Sequence, residues 1–123
     1  MTKRNIFSAL KKILLLALLI AVQNATAKEF KWTEESPKRL NWYKAKSYCQ
    51  NIEARLPTYE EIKSVWLAHG KDSNIDGFDL SVSYWTSTQE KTRPEAAHPF
   101  YFGEGKIGWY YKDDHYGVRC IKN

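Results

Sequence analysis

The stretch WYKAKSYCQNIEARLPTYEEI, residues 42–62, predicts two helices and the break between them. Asn41, just before it, is a good N-cap, because its side-chain oxygen can accept an orphan backbone N–H at a helix start. Trp42, Ala45, Cys49 and Ile52 then recur at intervals of 3, 4 and 3 residues, one apolar stripe along a helix. Cys49 therefore points inward, where a strand packed on the helix can meet it. Arg55, Leu56 and Pro57 interrupt the period. Thr58 and Glu61 then have the spacing of a capping box, each side chain satisfying a backbone donor of the other. Ile62, Val65, Trp66 and His69 mark the buried face of the second helix, and Gly70 suits the C′ position.

Outward from this pair the pattern changes. Phe30, Lys31 and Trp32 alternate and could begin a short edge strand. Residues 72–79 read as a polar loop, 83–88 as a strand centred on Trp85, and 90–98 as irregular. Residues 100–102 and 107–111 read as strands joined by Gly103-Glu104-Gly105-Lys106, a short hairpin loop. After a turn at Asp113, Asp114 and His115, residues 116–121 form the last strand, with Val118 and Cys120 on its core side. Helices first and an antiparallel sheet after them make the class α+β, two N-terminal helices packed on a small sheet.

The N-terminus sets the compartment. Lys3, Arg4, Lys11 and Lys12 lead into an apolar run at residues 13–22, and Ala25-Thr26-Ala27 offers the small residues a signal peptidase accepts. That run is about half the roughly 20 residues a spanning helix needs. The expectation is a signal peptide at 1–27, a mature domain at 28–123, no transmembrane segment after cleavage, and a periplasmic or secreted product. Losing four basic residues and no acid turns 19 Lys+Arg against 14 Asp+Glu into 15 against 14. A nearly neutral domain lacks the basic stripe that nucleic-acid binding requires, so no nucleic acid is expected.

The chain has two cysteines, Cys49 and Cys120. An even count in a small exported domain favours a disulfide. Closing a loop of about 70 residues would contribute roughly 4 kcal/mol on the chain-entropy model.

Four phrases in order carry a resemblance: W-Y-x-A-x-x-Y-C at Trp42 to Cys49, R-L-P-T-x-x-E-I at Arg55 to Ile62, Y-W-T-S-T at Tyr84 to Thr88, and V-R-C at Val118 to Cys120. Together they resemble the bacterial Lcl C-terminal domain family, which spans nearly the whole mature chain. The resemblance implies a C-type-lectin-like fold, distantly related to the formylglycine-generating enzymes, in which a disulfide ties the first helix to the last strand. It therefore implies Cys49–Cys120, the pairing also reached from the inward faces of both cysteines. A namesake adhesin engages glycosaminoglycans, so the resemblance also implies a glycan or glycosaminoglycan ligand. The sugar-binding triplets of calcium-dependent lectins are absent, and both cysteines are committed to the bridge rather than to formylglycine chemistry.

Residues 72–77 reproduce the first half of a calcium loop, D-x-N-x-D-G, but Ser83 stands where the bidentate Glu belongs. The polar-loop reading is preferred, and no metal or cofactor is expected. His69, His98 and His115 lack metal-ligand spacing. No nucleophile elbow is present, and the carboxylate pairs are adjacent in sequence, so the chain is not expected to be an enzyme. The candidate ligand-binding set is Tyr101, Trp109, Tyr111, Asp113, Asp114 and His115. Aromatic faces beside carboxylates can stack on sugar rings or anchor a protein. Filling the core is the competing role for these rings. The functional expectation is an exported binding module for glycans or surface polymers of the cell envelope. The alternative is a periplasmic protein-interaction module of the inhibitor or immunity type with an envelope protein partner.

Overall fold

The computed structural model describes residues 29–69 and 77–123. The expected signal peptide at 1–27 and the acidic half-loop at 72–76 lie outside the described residues. The chain divides into two units, Met1–Phe30 and Lys31–Asn123, and the architecture below belongs to the second.

Helix α1 spans Trp42–Asn51, and the Asn41 side chain accepts from the Lys44 N–H as expected of an N-cap. Trp42, Ala45 and Cys49 are buried along its stripe. Ile52 is not: it is the C-cap residue and is 42% exposed, because the chain leaves the helix there. Helix α2 spans Tyr59–His69, and its capping box forms in both directions, Glu61 N–H to Thr58 Oγ1 at 3.2 Å and Thr58 N–H to Glu61 Oε1 at 2.8 Å.

Among the described residues the class is α+β, with two helices, antiparallel sheets and one disulfide. The expected order of helices first and sheet afterwards needs correction. Strand β1, Ala54–Arg55, lies between the helices and pairs antiparallel with the C-terminal β6, Ile121–Lys122. Trp32 bridges to Ile121, so both ends of the described domain meet at this small sheet. The predicted last strand is correspondingly short. Residues 116–120 run beside the rest through isolated bridges, Tyr116 to Leu40 and Gly117 to Tyr84.

The second sheet has four strands: β2 (Ser83–Gln89), β3 (Ala96–Tyr101), β4 (Lys106–Ile107) and β5 (Tyr110–Tyr111). β3 is central, pairing β2 on one side and both β4 and β5 on the other. Residues 96–98, expected to be irregular, are thus part of the middle strand.

The predicted strand at 107–111 is broken into two, and the cause is Pro99. Phe100 pairs Ile107 and Ala97 pairs Tyr110 in one continuous register, which sets Pro99 opposite Gly108. The Gly108 N–H donates to the Pro99 carbonyl at 3.0 Å, but proline has no N–H to return. The His98 ring supplies the missing donor, its Nδ1 lying 2.8 Å from the Gly108 carbonyl oxygen.

Two apolar clusters fill the interior. One joins α1 and the disulfide to Trp85, Ala97 and Val118; the other joins α2 to Phe78, Tyr84, Phe100 and Phe102. Three indole N–H groups end on backbone carbonyls: Trp42 on Thr86, Trp85 on Leu40 and Trp66 on Phe102. Cys49 and Cys120 are bonded, both fully buried, so the staple runs through the first cluster.

Candidate functional site

The site expected from sequence lies along β4, β5 and the turn after them. With period two and the register given, Ile107, Trp109 and Tyr111 fall on one side of the strand, and Lys106, Gly108 and Tyr110 on the other. Ile107, Trp109, Tyr110 and Tyr111 are all exposed, Trp109 at 43% and Tyr111 at 53%. The core is filled instead by Tyr84, Trp85, Phe100 and Phe102, which leaves the β4–β5 rings uncovered.

Trp109 and Tyr111 form an edge-to-face pair with centroids 5.9 Å apart, and the Arg93 guanidinium lies 4.1 Å from the Trp109 centroid. Cation and tyrosine both restrict the indole, so Trp109 is a held ring rather than a free one. Asp113, Asp114 and His115 follow in an exposed turn closed by the Asp114 N–H on the Tyr111 carbonyl at 3.0 Å. Tyr101 is set apart from this group. It lines a surface cavity with Tyr110, and neither Trp109 nor Tyr111 borders that cavity. The six expected residues therefore form one strip, Trp109 to His115, and one outlier.

Three residues that support the strip carry no local sequence signal that marks them. Arg93 sits in a segment with no periodicity. His98 fills the donor gap left by Pro99, and its Nε2 lies 3.3 Å from Glu90 Oε2, so the ring is held at both ends, opposite Trp109 in the register. A proline inside an alternating strand is the one cue that could have flagged this position.

Lys112 follows Tyr111 and is buried, although lysine is ordinarily a surface residue. Its Nζ lies 4.5 Å from the Trp42 ring centroid and donates to Gln89 Oε1 at 2.7 Å and to the Pro94 carbonyl. Its backbone is engaged too, accepting from the Trp42 N–H at 2.9 Å and donating to the Glu95 carbonyl at 2.8 Å. The end of the strip is thereby anchored to α1 and to the segment before β3. Beside it, burial pushes the Tyr116 hydroxyl up to about 12, with Asp114 and Tyr110 adding to the shift. Among the described residues, no group of three or more His, Cys, Asp or Glu side chains could hold a metal ion.

The model of the Lcl C-terminal domain matches residues 22–122. The chain belongs to the Lcl C-terminal domain family. No curated protein matches it. Among solved structures it is similar in fold to the Yersinia pseudotuberculosis adhesin InvE, with a TM-score of 0.57 and 16% identity over 68% of this chain. The likeness covers 24% of the adhesin chain, so this Lcl C-terminal domain corresponds to about a quarter of that protein.

Proposed function

We propose that this Lcl C-terminal domain is an exported, non-catalytic binding module of C-type-lectin-like fold, and that its ligand is a glycan or surface polymer of the cell envelope. The observation that carries the reading is the exposed Trp109–Tyr111 pair, held by Arg93 and followed by the acidic turn at Asp113 and Asp114. Rings of this kind stack on the C–H faces of sugars, and neighbouring carboxylates accept sugar hydroxyls. Because both rings are already positioned, little side-chain entropy is lost when a ligand arrives. The likeness in fold to part of an adhesin and the buried disulfide agree with a role outside the cytoplasm.

A glycan and glycosaminoglycan array, probed with the oxidised protein in calcium and again in chelator, tests this. The expected result is binding to a limited set of glycans in both buffers. A blank array, together with one stoichiometric envelope protein in a pull-down, would replace the reading with the protein-interaction alternative.

A further inference from the structure

The side of the sheet opposite Trp109 carries a second feature that the strip does not use. Ser83, Tyr101 and Lys106 lie in one row across β2, β3 and β4, since Ser83 pairs Tyr101 and Tyr101 pairs Lys106. Two residues further along β3, on the same side, comes the Pro99–Gly108 rung, and beyond it Tyr110 opposite Ala97. Successive rungs on one face are about 7 Å apart. On β3 and β4 the middle rung carries only a proline ring and a hydrogen atom, with a tyrosine on either side; its β2 member is the buried Trp85, which pairs Pro99. The resulting cavity of about 380 Å³ is bordered by all these residues except Ala97 and Trp85, and also by Glu104 and Ile107.

Both tyrosine rings are seated on glycines. A Cβ at Gly103 would lie 2.7 Å from the Tyr101 hydroxyl end, and one at Gly108 would lie 2.7 Å from the Tyr110 ring. No larger residue at either position leaves the rings where they are. Tyr101 and Tyr110 remain 36% and 47% exposed, so ring surface is left for a ligand.

We infer that this cavity is a binding site for a single neutral pyranose ring, distinct from the Trp109–Tyr111 strip. Its volume is at the small end of the roughly 300–1,000 Å³ of small-molecule sites, which suits one ring rather than a chain segment. The tyrosines and Pro99 offer apolar surface to the C–H faces of a sugar. Ser83, the two phenols, Glu104 and Lys106 offer donors and acceptors to its hydroxyl edge. Net charge argues for neutrality. Lys106 Nζ and Glu104 Oε2 are 3.1 Å apart at the mouth, so an acidic sugar would have to sit beside the carboxylate and an amino sugar beside the ammonium. The site rests on its own geometry and stands whether or not the strip binds a polymer.

The test is an amide and side-chain NMR titration of the oxidised protein with the methyl glycosides of glucose, galactose, mannose and N-acetylglucosamine, with glucuronate as the charged probe. At least one neutral glycoside is expected to give saturable shifts at Ser83, Tyr101, Lys106, Gly108 and Tyr110, leaving the Trp109 indole N–H unmoved. Gly108→Ala and Tyr110→Ala, each checked for a dispersed native spectrum, should weaken that response about tenfold or abolish it. No shifts with any neutral glycoside, shifts only with glucuronate, or shifts that survive both substitutions unchanged would overturn the inference. A positive polymer array with an unresponsive cavity would remove this site and leave the strip standing. Cavity shifts with a blank array would do the reverse.

Discussion

The Glu61 carboxylate accepts two Arg55 N–H groups at 2.7 Å each and the Thr58 N–H at 2.8 Å. These contacts, led by the Arg55 hydrogen bond, hold its pKa down to about 2. A carboxyl depressed in the folded state binds fewer protons than in the unfolded chain. Its stabilisation is therefore present above about pH 4.5 and is lost as pH falls toward about 2. The Arg55 side chain is 46% exposed, so solvent screening limits the pair to about 1 kcal/mol. Glu61→Gln should lower stability by that amount at neutral pH and flatten its fall between about pH 4.5 and 2, as read from urea midpoints across that range. Lys112 makes the opposite kind of contact, a cation enclosed by an indole and two neutral acceptors. Lys112→Ala leaves the Pro94 carbonyl and Gln89 without that donor and should cost about 1–3 kcal/mol, measurable by thermal or denaturant unfolding.

At the scale of elements, the helix pair was legible because its cues are local. A 3-4-3 stripe, an asparagine before it and a Thr-x-x-Glu box state where each helix starts and which face is buried. The sheet was less so, because its pairing depends on residues distant in the chain. Residues 96–98 read as irregular until β2 and β5 flank them, and the break at 108–109 follows from a proline on the neighbouring strand. His98→Ala should therefore leave the Gly108 carbonyl without its ring donor and loosen the segment that carries Trp109. The expected signs are faster amide exchange at residues 108–111 and a loss of about 1–3 kcal/mol. The β3–β4 turn is fixed differently. Gly105 has φ +65°, and a Cβ there would come within 2.4 Å of the Trp66 ring. Gly105→Ala combines a left-handed backbone with that clash, and a cost of about 1–3 kcal/mol with altered Trp66 fluorescence is expected.

Over the whole molecule, the disulfide joins α1 to the last stretch of chain across 71 residues. Its reduction should lower stability by about 4 kcal/mol on the chain-entropy model, a large part of the ~5–15 kcal/mol of a typical domain, and calorimetry with and without reductant would measure it. The pairing was legible at Cys49, which falls on the inward stripe of α1. Cys120 lies outside any strand, in a stretch where Val118, Arg119, Cys120 and Ile121 are all buried, so its inward position does not come from alternation. The candidate site was legible in composition but not in layout. Sequence alternation separated Tyr110 from Trp109 and Tyr111, yet it could not place Arg93 over Trp109 or set Tyr101 in a different cavity.

The proposed binding surface is the Trp109–Tyr111 strip. Its most direct test is the affinity of Trp109→Ala and Tyr111→Ala for whichever array glycans the unmodified protein binds, with thermal unfolding measured alongside. A loss of about tenfold or more is expected for each variant, roughly 1.4 kcal/mol, at an unfolding temperature close to that of the parent. Unchanged affinity in variants that remain folded would contradict it.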